Sequence, residues 1–172
     1  MLAARDEVEN VDPIKSSLPY LLQVAGRLQG ALYSGRTASC EVTPAGAYVL
    51  YELSQREPLT PKDLSERLRL GPAAIGQTLT RLERDGFITR RRSTSDRRWV
   101  EVMMTDLGRE TEPRLREASE VLIAEVQAVL GPDGERALRE TLLQLIAFLG
   151  DKAAEEGAIN RARIAKVTGS DM

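Results

Sequence analysis

Apolar residues recur along the N-terminal part of the chain at Ile14, Leu18, Leu21, Leu22, Ala25, Leu28 and Leu32. This 3.6-residue stripe predicts a helix starting near Ser17, with Pro19 in the first turn, where its missing N–H matters little. Residues 1–12 carry no such period and read as a tail, and Gly35–Glu41 is small and polar, a loop. Three short helices are predicted next. Thr43-Pro44 reads as an N-cap followed by proline at the first helical position, with Tyr48, Val49, Leu50, Tyr51 and Leu53 beyond it. Thr60-Pro61-Lys62-Asp63 repeats the device as a capping box with Asp for Glu, and that helix ends near Leu68. After the Gly71-Pro72 break, Ile75, Leu79 and Leu82 sit at i, i+4 and i+7, and Gly86 stops the run.

The period then changes. Residues 87–92 and 99–104 read as two short strands around the polar, basic loop 93–98, a hairpin with a charged tip. Beyond Thr105-Asp106 a helical face returns at Leu107, Thr111, Leu115, Ala118, Leu122, Val126 and Val129, with Pro113 expected to kink it or mark its true start. Gly131-Pro132-Asp133-Gly134 is a strong break. A last helix carries Leu138, Leu142, Leu145, Leu149 and Ala153 and is expected to end near Glu156-Gly157, leaving 157–172 as a tail.

Helix, helix, helix, hairpin and long helices together predict a mainly α fold with a small β-hairpin wing. The expected layout is a tail (1–12), an N-terminal dimerisation helix and loop (13–42), a winged helix-turn-helix (43–106), C-terminal dimerisation helices (107–156) and a second tail (157–172). A lone winged helix needs far fewer than 172 residues. The flanking leucine stripes are too long for so small a domain to cover, which makes a second copy the natural partner. The alternative is that these helices fold back on their own domain.

Composition narrows the function. With 42% hydrophobic but only 4% aromatic residues, the core must be built mostly of Leu, Val, Ile and Ala. The chain has no histidine and one cysteine, Cys40. An internal disulfide and any Ser-His-Asp or Cys-His site are excluded, and no metal spacing or phosphate-binding glycine loop is present. The expectation is a protein that is not an enzyme and needs no cofactor. No apolar run nears the roughly 20 residues of a membrane span and the acidic N-terminus is unlike a signal peptide, so a cytoplasmic protein is expected.

The net charge of −2 is a poor start for binding nucleic acid, but its distribution matters more. Pro61–Trp99 holds ten basic and five acidic residues, a balance of +5 that leaves −7 on the remainder. Five arginines (90, 91, 92, 97 and 98) crowd nine residues around the hairpin tip. Their mutual repulsion serves no evident folding purpose, whereas a polyanionic partner explains it. The plainer alternative is a solvated turn in which Asp96 pairs with a neighbouring arginine, and both can hold together. On the preceding helix, Ala73, Ala74, Gln77, Thr80, Arg81 and Arg84 lie opposite the buried stripe. Gln can pair with adenine, Arg with guanine or phosphate and Ala with a thymine methyl. Ordinary solvent exposure would explain the same face.

Leu64-Ser65-Glu66-Arg67-Leu68 and the stretch from Ile75 through Leu82-Glu83-Arg84-Asp85-Gly86-Phe87-Ile88 resemble the helix-turn-helix of the MarR family. Ser95-Asp96-Arg97-Arg98, then Val100-Glu101-Val102 and Thr105-Asp106-Leu107-Gly108, are similar to that family's wing and its entry to the long helix. The resemblance covers about residues 14–155 and is strongest over 43–108. It implies a homodimeric transcriptional regulator, a repressor in the main reading, on a pseudo-palindromic operator. It also implies Arg98 as the minor-groove arginine and Asp96 as its support; from the crowding of the hairpin arginines, Arg91 and Arg97 are expected beside them on the DNA. Ala73, Ala74, Gln77 and Arg81 would face the major groove. A small phenolic or lipophilic effector is implied too, with Tyr48 and Tyr51 as candidate lining or, equally, as core. Peroxide-sensing relatives carry their cysteine in the first helix, whereas Cys40 follows it, which disfavours a sensor. Two alternatives stay open: a ligand-independent or architectural DNA-binding protein, and a winged-helix module for protein interaction, which would not need the arginines.

Overall fold

The computed structural model describes residues 12–93, 96 and 98–168, with side chains as far as 157. The predicted order of elements is present: α1 (Leu18–Arg36), α2 (Pro44–Gln55), α3 (Pro61–Leu68), α4 (Pro72–Arg84), β1 (Ile88–Arg92), β2 (Val100–Met104) and α5 (Asp106–Thr168). Helix α1 runs two residues, Gly35 and Arg36, into the expected loop, and a short 3-10 turn, Ala38–Cys40, follows it.

Local chemistry sets the starts and stops. Thr43 Oγ1 accepts the Gly46 N–H at 3.2 Å at the head of α2. At α3, Thr60 Oγ1 accepts the Asp63 N–H at 3.1 Å while Asp63 Oδ2 accepts the Thr60 N–H at 2.9 Å, the reciprocal capping box. Between α3 and α4 the chain turns through Arg69 in the left-handed region (φ 51°), and Ser65 Oγ donates to the Leu70 carbonyl at 2.6 Å. Gly86 (φ 82°) closes α4: its own N–H reaches the Glu83 carbonyl at 3.1 Å and the Phe87 N–H the Leu82 carbonyl at 2.9 Å.

The chain divides into two compact units, with a boundary between Leu122 and Ile123. In the first, α2 supplies Val49, Leu50 and Leu53, α3 supplies Leu64, and α4 supplies Ile75, Leu79 and Leu82 to one core. The hairpin closes this core with Ile88, Val102 and Met104, and α5 with Leu115 and Leu122. The strands pair antiparallel, Ile88 with Met104 through Arg92 with Val100. Leu59 adds an isolated bridge to Val102, with mutual hydrogen bonds of 3.3 and 2.8 Å. Gly108 lets α5 approach the root of the hairpin, because a Cβ there would lie 2.2 Å from the Phe87 carbonyl oxygen.

The α1 stripe is not core in the single chain. Ile14, Leu18, Leu21, Leu28 and Leu32 are exposed, and the buried residue of α1 is Tyr33, which lies off the stripe and donates its hydroxyl to the Leu115 carbonyl at 3.2 Å. Burial pushes the Tyr33 phenol above its usual range. In α5 the predicted face is buried at Thr111, Leu115 and Leu122 and exposed at Leu107, Val126 and Val129. Pro113 lies inside the helix, and the non-helical residue in α5 is Gly131 (φ 67°, ψ 167°) alone within the expected four-residue break. In the second unit Leu138, Leu143, Ile146, Phe148 and Leu149 are exposed, with Leu142 and Leu145 half-buried. The helix continues to Thr168, past Gly157, where the apolar pattern predicted its end. A single glycine among Ala, Glu and Arg weakens a helix by about 1 kcal/mol without stopping it. Among the described residues, no helix is long and apolar enough to cross a membrane.

Candidate nucleic-acid interface

Helix α4 is two-sided. Ile75, Leu79 and Leu82 are buried, while Ala73, Ala74, Gln77, Thr80, Arg81 and Arg84 are exposed. Five of these, with Gly76, line a shallow concavity; Ala74 lies outside it. The residues singled out on this helix therefore share its outer face. At its end Asp85 takes Arg84 Nε at 2.8 Å and Arg81 Nε at 3.7 Å. These arginines hold the Asp85 carboxyl below the usual carboxylate range, and Asp85 in turn raises the Arg84 guanidinium.

The hairpin carries its charges in pairs. Arg98 donates from Nη2 to Asp96 Oδ2 at 2.7 Å, from Nε at 3.1 Å and from its backbone N–H to Oδ1 at 3.0 Å. Its side chain is nonetheless 86% exposed. The Asp96 carboxyl is held low, mainly by Arg98, and the Arg98 guanidinium is raised. The pairing of Asp96 with a neighbouring arginine thus has a named partner. Arg91 Nε meets Glu101 Oε2 at 3.3 Å, across the register position the two share. Arg97 lies outside the described residues.

Arg90, one of the five crowded arginines, has a structural role of its own. Glu83, in the last turn of α4, accepts the Arg90 backbone N–H at 3.2 Å through Oε1, and Nε at 2.9 Å and Nη2 at 2.5 Å through Oε2. Arg90 also reaches Thr80 Oγ1 at 3.5 Å. These bonds hold the Glu83 carboxyl below its ordinary range. A second tie lies at the other strand: Glu57 accepts the Met104 N–H and pairs with Arg109 at 2.6 Å, and Arg109 donates to the Met104 carbonyl at 3.2 Å. Neither pair was legible beforehand, since Glu83 and Arg90 meet across a turn between helix and strand, and Glu57 and Arg109, 52 residues apart, meet only through the fold.

Tyr48 and Tyr51 lie on the outer side of α2, 55% and 43% exposed, which overturns the reading of them as core. The Arg116 guanidinium stands 4.9 Å from the Tyr51 ring centroid, and it also bonds the buried Glu112. Cys40 is buried and free. Among the described residues, no group of three or more Cys, Asp or Glu side chains could hold a metal.

A MarR family model matches residues 42–100, from just before α2 to the first residue of β2. The transcriptional regulator TtmR of Methylorubrum extorquens (strain PA1) is 32% identical over 105 residues, 61% of this chain and 52% of TtmR, so the chain spans about half the length of that relative. An uncharacterized helix-turn-helix regulator of Bacillus subtilis, YwhA, is 30% identical over 66% of this chain and 78% of its own. The transcriptional repressor CouR, solved bound to a 23-mer DNA duplex, matches with a TM-score of 0.70 at 27% identity, covering 77% of this chain and 94% of CouR. On the YwhA alignment, the family model and the helix–hairpin architecture, the chain belongs to the MarR family of helix-turn-helix transcriptional regulators.

Proposed function

We propose that the protein is a sequence-specific DNA-binding regulator, a repressor that binds a pseudo-palindromic operator as a homodimer and acts by binding, not by catalysis. The observation that carries this reading is the pairing of an outward α4 face with an outward wing arginine. Ala73, Ala74, Gln77, Thr80, Arg81 and Arg84 present donors, acceptors and methyl contacts on a helix of a size that fits the major groove. Arg98 then reaches the adjacent minor groove from a hairpin anchored to the same helix, with Asp96 as its support. Arg91 and Arg97 add contacts to the backbone. CouR in its complex with DNA supports the reading, since its fold superposes on this chain.

The exposed apolar residues of α1 and of the second unit support dimerisation. Two-fold symmetry then places two α4 helices on half-sites about one helical turn apart. An effector of the small aromatic kind fits beside Tyr48 and Tyr51, whose rings stay open to solvent in the single chain. Selection of bound fragments from sheared genomic DNA at about 0.1–0.15 M salt tests the proposal. Enrichment of a short inverted repeat supports it. Binding without enrichment favours an architectural role, and no binding at low salt refutes it.

A further inference from the structure

We infer that Glu83 is a positioning residue for DNA binding: it touches no DNA, but it fixes the angle of the wing against the recognition helix. The inference rests on the functional reading above. Its basis is geometric. Glu83 sits in the last turn of α4 and engages the middle residue of β1 by three bonds, one of them to the Arg90 backbone. A backbone bond fixes the strand itself, not merely a side chain. Arg90 Nη2 also lies at the edge of hydrogen-bond reach of Thr80, so β1 is tied to two consecutive turns of the helix. From Arg90 to Arg92 the wing is a two-stranded ribbon with no third strand at its outer end among the described residues. Its root is set at Leu59, Glu57 and Glu83. A small change of angle at the root becomes a larger displacement at Arg98, which must enter a groove about 6 Å wide while α4 occupies the neighbouring one.

Electrostatics gives this inference a sign that a charge effect cannot imitate. Removing a carboxylate beside a polyanion strengthens binding if charge alone matters. Removing a carboxylate that aims the wing weakens it.

The test uses the duplex recovered by genomic selection and the intact chain, with affinity measured across a salt series. For Glu83→Ala, and for Glu83→Gln, which keeps the shape, binding is expected to weaken. The slope of log affinity against log salt should shallow by about 1 per wing, as for Arg98→Ala. In the Arg98→Ala background the Glu83 substitutions should be silent to within about two-fold, because the group they position is gone. Exchanging the pair, Glu83→Arg with Arg90→Glu, should recover part of the loss at unchanged net charge. Unchanged or tighter binding by folded Glu83→Gln overturns the inference, as does a full additional loss in the Arg98→Ala background. If the parent protein selects no DNA, the functional reading has failed before Glu83 is tested.

Discussion

Gly108→Ala places a methyl group where the structure has no room for it. The added Cβ would lie 2.2 Å from the Phe87 carbonyl oxygen and 3.3 Å from Met104 Cβ. A carbon and a carbonyl oxygen settle at about 3.3 Å or more, so the contact must open by roughly 1 Å. The obstacle is backbone, and it is held: the same Phe87 carbonyl accepts the Thr105 N–H at 3.0 Å, while Thr105 Oγ1 donates to Gly86 at 2.6 Å and accepts the Gly108 N–H at 3.1 Å. Overpacking of this kind costs about 1–3 kcal/mol, and weakening the Thr105–Phe87 bond about 1 kcal/mol more. Against this stands a gain of at most about 1 kcal/mol from alanine's better helix propensity. The expected net loss is about 1–3 kcal/mol. Urea unfolding followed by far-ultraviolet circular dichroism measures it, at matched protein concentrations because a dimer's stability depends on them. Gly76→Ala is the control: it is a helical glycine with nothing within 4 Å of its added Cβ, so it should stabilise by up to about 1 kcal/mol. If Gly108→Ala proves as stable as Gly76→Ala, the close approach of α5 to the hairpin is not what orders this junction.

Asp63→Ala should cost about 1 kcal/mol at neutral pH through loss of the capping box, read from the urea midpoint. The Thr60 hydrogen bonds hold the Asp63 carboxyl low, so its contribution is complete above the unfolded value near pH 4. It is lost as the pH falls through the lower folded value, and the gap between parent and variant should close there. Leu28 is 61% exposed in the single chain, so Leu28→Asp should leave helicity intact while shifting the mass in sedimentation to monomer; an unchanged dimer mass removes α1 from the interface. Arg98→Ala should shallow the salt dependence of DNA binding by about 1 per wing and leave the dimer intact. Wild-type affinity would take the wing out of the mechanism.

What was legible in the sequence is what depends on near neighbours. Thr60 and Asp63 are three residues apart, and Gly86 stands next to the helix it ends, so the caps and stops could be read directly. The two faces of α4 follow from a period of 3.6 over one short helix. The chemistry that places the wing is different in kind. Glu83 and Arg90 meet across the Gly86 turn, Glu57 and Arg109 across most of the domain, and Leu59 joins the hairpin from a loop. No periodicity encodes such meetings. Tyr33 was missed because it lies one position off an apolar stripe that turns out not to be core in the single chain.

The pairing of the wing arginines changes what the segregated charge means. Glu83, Asp85, Asp96 and Glu101 each hold an arginine, so the basic segment is less a field of free cations than a set of oriented ones. Asp96 is where this matters most. Its charge opposes DNA, and Asp96→Asn would add positive charge at the wing of a protein whose net charge is −2. By charge alone the variant should bind more tightly, most visibly at low salt. Yet Asp96 fixes both the backbone and the guanidinium of Arg98, taking Nε and Nη2 and leaving Nη1 for an outside acceptor. A free arginine carries about 2 kcal/mol of rotamer entropy that must be surrendered on docking, and the bonded one has surrendered part of it already. Asp96→Asn should therefore weaken specific binding while leaving or raising binding to unrelated duplex, so the ratio of the two falls. Competition of the selected duplex against random-sequence DNA measures that ratio. A variant that gains affinity equally for both would show that Asp96 contributes nothing by orientation, and that charge alone governs the wing.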